Sequence, residues 1–114
     1  MNETLYNELI RLAQAQDLAA YSDVAPIIEL SMDNEEDRNR IAELLREIAI
    51  HENSEGRPML TALIVHRGND NKPGEGFFSI AQELGHFDGI RGQINMLTFW
   101  SNQVTQVHNH WASA

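Results

Sequence analysis

The chain has 114 residues, with 8 Lys+Arg against 17 Asp+Glu, 42% hydrophobic residues and no cysteine, which is the arithmetic of one small soluble domain with a single core. The missing cysteine removes disulfides, thiolate nucleophiles and Cys-metal sites together. No stretch approaches the ~18 apolar residues of a membrane span and no basic leader precedes an apolar run, so neither membrane nor export is expected and the cytoplasm is the default. Charge is uneven: residues 1–55 hold 13 acidic and 4 basic side chains (net −9), whereas residues 56–114 hold 4 of each.

From about Asn2 to Gln16, Leu5, Leu9, Leu12 and Ala13 recur at helical spacing, widened by Tyr6 and Ile10. This predicts an amphipathic helix capped by Asn2, with Glu3 at the positive end of the dipole. After a linker near Asp17, Ser22 is the expected cap of a short helix carrying Val24, Ala25, Ile27, Ile28 and Leu30, with Pro26 tolerated in the first turn. Next, Asp33 or Asn34 can accept the first amides of a third helix, while Glu35, Glu36 and Asp37 suit its dipole. Ile41, Leu44, Leu45, Ile48 and Ala49 carry that helix to about Glu52. Its outward face holds Glu36, Arg40, Glu43 and Glu47, with Glu36 and Arg40 placed to pair. Gly56 and Pro58 end it.

Met59–His66 is a nearly continuous apolar run between Pro58 and Gly68, and it reads as a buried strand. Residues 68–76 are turn chemistry throughout. Phe77, Phe78, Ile80, Ala81 and Leu84 then predict a short helix closed by Gly85, followed by a flexible patch at 88–92. Leu97, Trp100, Val104, Val107 and Trp111 repeat as three-four-three-four, giving a last helix with one apolar seam. The expected fold is a single mainly helical α+β domain, residues 1–114, with about five helices and one short strand or hairpin.

His108 and His110 form the nearest histidine pair, but on a helix they point roughly 200° apart and cannot share one ion. His51, His66 and His86 stand alone in sequence, so no metal and no cofactor are expected. Gly74-Glu75-Gly76 before a helix resembles half a phosphate loop, yet the later Gly-Lys-Ser/Thr is missing, and a turn that aims Phe77 and Phe78 inward is the plainer reading. The acidic run at 33–37 lacks the alternation of a calcium loop. Ser22, Ser54 and Ser79 lack a nucleophile elbow, so no catalytic residue can be named. A net charge of −9 argues against duplex nucleic acid. Arg38, Arg40 and Arg46 sit among carboxylates, where intrahelical pairing is expected.

Several stretches, read in order, carry a resemblance. Tyr21-Ser22-Asp23-Val24-Ala25, an Arg-containing helix, then Arg57–His66 and Pro73–Phe78 resemble a group of small bacterial proteins. That group in turn looks like a distant echo of the winged-helix domain of alkylguanine-DNA alkyltransferases and alkyltransferase-like proteins. The resemblance spans about half the chain, from Tyr21 to Leu84. It implies a winged-helix-like arrangement and no more, because the nucleophilic cysteine of the Pro-Cys-His-Arg motif has no counterpart and the matching helix begins acidic.

The function expected from the sequence is non-enzymatic binding of a macromolecule, a protein first, through an acidic helical face or an aromatic groove of Phe77, Phe78, Trp100 and Trp111. Self-association through Leu97, Trp100, Val104 and Trp111 is a variant of it. One alternative is a winged-helix-type nucleic-acid regulator using Arg38, Arg40 and Arg67. Another is a small-molecule site or enzyme built around Arg57, His66 and Glu75.

Overall fold

The computed structural model describes residues 1–68 and 71–112, so Asn69 and Asp70 of the expected turn lie outside the described residues. Helix α1 (Glu3–Gln14) starts where expected: the Asn2 side chain accepts the Leu5 amide at 2.9 Å, and Leu5, Leu9, Leu12 and Ala13 are buried. Strand β1 (Ala19–Ala20) and helix α2 (Tyr21–Val24) follow, then a 3-10 turn (Ala25–Ile28). The expected Ser22 cap is corrected here. Ala20 holds the cap position and no side chain bonds there. Pro26 has no amide to offer Ser22, so the α-helical ladder breaks after one turn and continues as the tighter 3-10 form. Glu29, at φ 61°, ends it.

Helix α3 (Glu35–Ser54) is capped by Asn34, whose Oδ1 accepts the amides of Glu36 at 2.9 Å and Asp37 at 3.4 Å. Its stripe buries Ile41, Leu44, Leu45, Ile48 and Ala49, and also Glu52. The intrahelical pairing expected for its arginines holds only for Arg40, and with Glu43 (3.2 Å) rather than Glu36. Arg38 donates to the Met32 carbonyl at 2.8 Å, and Arg46 reaches across to Glu83. Gly56, at φ +70°, turns the chain out of the helix as its position suggested.

The run Met59–His66 is buried, but only Ile64–Val65 forms a strand, β2. Leu60–Leu63 is a 3-10 turn instead. The reason lies in what surrounds it. Helices α1, α3 and α5 (Gln93–Trp111) all pack on this turn, leaving room for one strand neighbour of two residues. The other backbone groups find other partners: the Ala62 amide donates to the Met59 carbonyl (3.0 Å), the Met59 amide to Gln103 Oε1 (3.1 Å), and the Trp100 indole to the Ala62 carbonyl (2.8 Å).

Strands β1 and β2 pair in parallel, Ala19 with Ile64 and Ala20 with Val65. The His66 amide donates to the Lys72 carbonyl at 2.8 Å, closing the 66–72 loop as a hairpin-like excursion before α4 (Glu75–Glu83). Two apolar clusters result. One joins α1, α3, the 60–63 turn and Val107; the other gathers Ala49, Met59, Phe77, Phe78, Ile80 and Phe87 with Phe99 packed against them. The seam of α5 is turned inward, so Trp100, Val104 and Trp111 lie against these clusters. Five helices and a minimal parallel sheet make this a mainly helical α+β fold. No helix among the described residues is long and apolar enough to cross a membrane.

Candidate functional site

Parallel register determines the site. Because Ala20 stands opposite Val65, the residues that follow the two strands, Tyr21 and His66, come out side by side. Their rings stack at 4.3 Å with an interplanar angle of 29°. Pro73 and Gly74 then bring the chain back against this stack, and the Gly74 amide donates to Tyr21 Oη at 3.3 Å. A Cβ at position 74 would stand 2.9 Å from His66 Nε2 and 3.4 Å from Tyr21 Oη, so only glycine allows this approach. Burial pushes the Tyr21 hydroxyl above its ordinary value, an effect the Gly74 bond opposes, so it is a protonated donor at neutral pH.

Helices α3 and α4 are joined on the surface by a bidentate pair, Arg46 Nη1 to Glu83 Oε2 at 2.5 Å and Nη2 to Oε1 at 3.0 Å. The arginine's hydrogen bond holds the Glu83 carboxyl below its usual range. Between the two helices and the Tyr21–His66 stack lies a cavity of about 440 Å³. Met32, Ile41, Ala42, Leu45, Phe77 and Ile80 give it apolar walls; Tyr21, Thr61, His66, Gly74, Glu75, Gly76 and Ser79 supply the polar ones, with Arg38, Glu43 and Arg46 at the charged margin. Thr61 is only 5% exposed, and its hydroxyl has no hydrogen-bond partner among the described residues.

His66 and Glu75 also border a second cavity of about 510 Å³, with Lys72, Arg91 and Gln93 on its polar side and Phe78, Met96 and Leu97 on its apolar side. Glu75 is held there by Arg91 at 2.9 Å. Of the three residues expected to converge, His66 and Glu75 border the same two cavities. Arg57 does not. It lies in a separate buried network, where its Nη2 donates to Glu52 Oε2 at 2.8 Å and to Tyr6 Oη at 3.2 Å.

Glu52 is fully buried and also accepts from the Tyr6 hydroxyl at 3.0 Å. The Arg57 guanidinium lies 5.7 Å from the Trp111 ring centroid. Its bond to Glu52 raises its already high pKa, while burial followed by the Glu52 hydrogen bond raises that of Tyr6. This network ties the chain leaving α3 to α1 and α5, so Arg57 serves the fold.

The expected aromatic groove is likewise divided. Phe77 and Phe78 are core residues, and each lends an edge to one of the two cavities; Trp100 satisfies a buried carbonyl, and Trp111 sits under Arg57. Arg40 and Arg67 are occupied by Glu43 and Asp23, whereas Arg38 stands at the cavity margin. His108 and His110 diverge as the helix requires, His108 Nε2 lying 3.2 Å from the Asp17 carbonyl and His110 exposed.

Sequence reasoning passed over Tyr21 as a site residue, along with Thr61, Gln103 and Glu52. Only Glu52 carried a signal: a carboxylate three and four residues after Ala49 and Ile48, in phase with the apolar stripe. No known family, curated protein or solved structure matches the chain.

Proposed function

We propose that this chain is a non-enzymatic binding protein that holds a small, mostly apolar molecule in the cleft between α3 and α4. The observation that carries this reading is the 440 Å³ cavity itself. Its volume falls in the ~300–1,000 Å³ range of small-molecule sites, and apolar walls interrupted by polar groups are the common pattern of such sites. Nothing in it resembles an activated nucleophile. The Ser79 hydroxyl meets Glu75 only at 3.5 Å, and that carboxylate is already engaged by Arg91.

A neutral apolar fluorophore, N-phenyl-1-naphthylamine, tests the reading without involving charge. Wild-type protein should give a saturable, blue-shifted rise in emission at one equivalent. Ala42→Phe, which places a ring in the cavity from an exposed helix position, should weaken binding at least tenfold, while Ala15→Phe, exposed and outside the cavity lining, leaves it unchanged. Unsaturable emission, or equal binding by the two variants, would sink the proposal.

A macromolecular partner is the second reading. Its support is one segment before and into α5, where two large apolar side chains four positions apart are exposed, Ile90 at 61% and Ile94 at 82%. The inward turn of the α5 seam moves this reading away from Trp100 and Trp111 and onto Ile90 and Ile94. Solution mass at tens of micromolar, compared with that of Ile94→Glu, examines the self-association form of it; a strictly monomeric wild type removes that form.

A further inference from the structure

We infer that residues 29–34, the connection between the 3-10 turn and α3, are a strap that opens and closes the cavity, latched by Asp37 and Arg38. This rests on the reading that the cavity binds a ligand, and goes further by naming how the ligand enters and leaves.

Three observations carry it. The first is position. Met32 belongs to this connection, lines the cavity and is half-buried against the first apolar cluster. The rest of the lining comes from α2, α3, α4 and the 60–63 turn, together with His66 and Gly74. The His66 amide is bonded to the Lys72 carbonyl and the Gly74 amide to Tyr21 Oη. The connection is the wall that belongs to neither a helix nor a strand.

The second is how the connection is held. Two side chains from the first turn of α3 reach back to its backbone: Asp37 Oδ2 accepts the Ser31 amide at 2.9 Å, and Arg38 Nη1 donates to the Met32 carbonyl at 2.8 Å. Arg38 is exposed and Asp37 half-buried, so water competes for both bonds and each breaks at little cost. Arg38 also lines the cavity, so its bond joins two lining residues across the margin. Asp37 is outside the lining and acts through the Ser31 amide, as a positioning residue.

The third is that the connection is built to move as one piece. The Asp33 amide donates to Ser31 Oγ and the Asn34 amide to the Ser31 carbonyl, each at 3.2 Å, so residues 31–34 form a folded turn of their own. Before it, Glu29 stands at φ 61°, in the left-handed region, and the Leu30 amide is tied to the Ala25 carbonyl at 2.9 Å. After it, Asn34 is extended and starts α3. These two ends are the joints on which the turn swings once the latches open, as a lid swings on a few terminal residues.

The test is stopped-flow fluorescence with N-phenyl-1-naphthylamine on the full chain, giving association and dissociation rate constants. A latch acts on opening and not on contact with the probe. Asp37→Ala should therefore raise both constants by about threefold or more while Kd stays within about twofold, and Asp37→Ala/Arg38→Ala should raise them further. Asp37→Asn keeps an oxygen for the Ser31 amide, and Glu36→Ala removes the same charge from the same turn without removing a latch bond. Both should match wild type.

If wild type shows no saturable binding, the cavity reading falls and this inference falls with it. Saturable binding with equal rate constants in Asp37→Ala and wild type overturns the strap and leaves the cavity reading intact. So does a loss of affinity carried by dissociation alone, or a loss of saturable binding in Asp37→Ala, because either makes the connection part of the binding surface and not its gate. Rates in Asp37→Asn or Glu36→Ala as fast as in Asp37→Ala assign the effect to charge and overturn the latch.

Discussion

Thr61→Val replaces a buried hydroxyl with a methyl of nearly the same shape. Thr61 is 5% exposed, and its Oγ1 finds no partner among the described residues. A buried hydroxyl without a hydrogen bond costs about 1–3 kcal/mol, and a buried methyl in its place contributes roughly another 0.8 kcal/mol by transfer. The fit of a methyl against the 60–63 turn is imperfect, which offsets part of this, so we expect a net gain of about 1–2 kcal/mol. An unfolding entropy of about 2.1 cal/mol/K per residue makes each kcal/mol worth roughly 4 °C in a chain of this size. The melting midpoint should therefore rise about 4–8 °C, read by calorimetry on the ligand-free protein. A Val variant that melts lower than wild type would show that the hydroxyl has a partner.

Two further outcomes concern the rest of the molecule. Glu52→Ala leaves the Arg57 guanidinium and the Tyr6 hydroxyl without their acceptor and should cost about 3–5 kcal/mol in urea unfolding; a loss below ~1 kcal/mol would mean the network does not tie α1 to the end of α3. Because burial raises the Tyr21 pKa above its ordinary value of 10.0, the folded protein holds that proton more tightly than the unfolded chain. Its contribution is complete below that value and is lost as pH rises through the folded one. Thermal stability should thus fall above about pH 10, and Tyr21→Phe should flatten part of that fall; Tyr6, also raised, accounts for the remainder. Identical alkaline profiles for wild type and variant would contradict the burial of Tyr21.

The helices were legible where local chemistry decides them. Asn2 and Asn34 cap as their side chains dictate, and the stripes of α1, α3 and α5 face inward. The 59–66 run shows where local reading stops. Apolar, β-branched and bounded by Pro and Gly, it looks like a strand from sequence, and only the surrounding helices, with Gln103 and Trp100 reaching its backbone, make most of it a 3-10 turn. Arg46 illustrates the same limit, since its partner Glu83 lies 37 positions away and no spacing rule connects them.

The cavity was half visible. His66 and Glu75 could be named because they are polar residues at the edges of apolar segments. Tyr21 could not, because its role comes from the parallel register of two two-residue strands. Thr61 was hidden inside an apolar run, where a lone hydroxyl reads as β-branched filler.

Amide chemical-shift mapping of the full chain during titration with 4-phenyl-1-butanol, a neutral apolar probe, tests the central claim most directly. Saturable shifts should concentrate at Tyr21, Thr61, Glu75, Gly76 and Ile80, with little change around Arg57 and Trp111. Saturation with shifts centred elsewhere, or no saturable shift at millimolar probe, would contradict a binding site between α3 and α4.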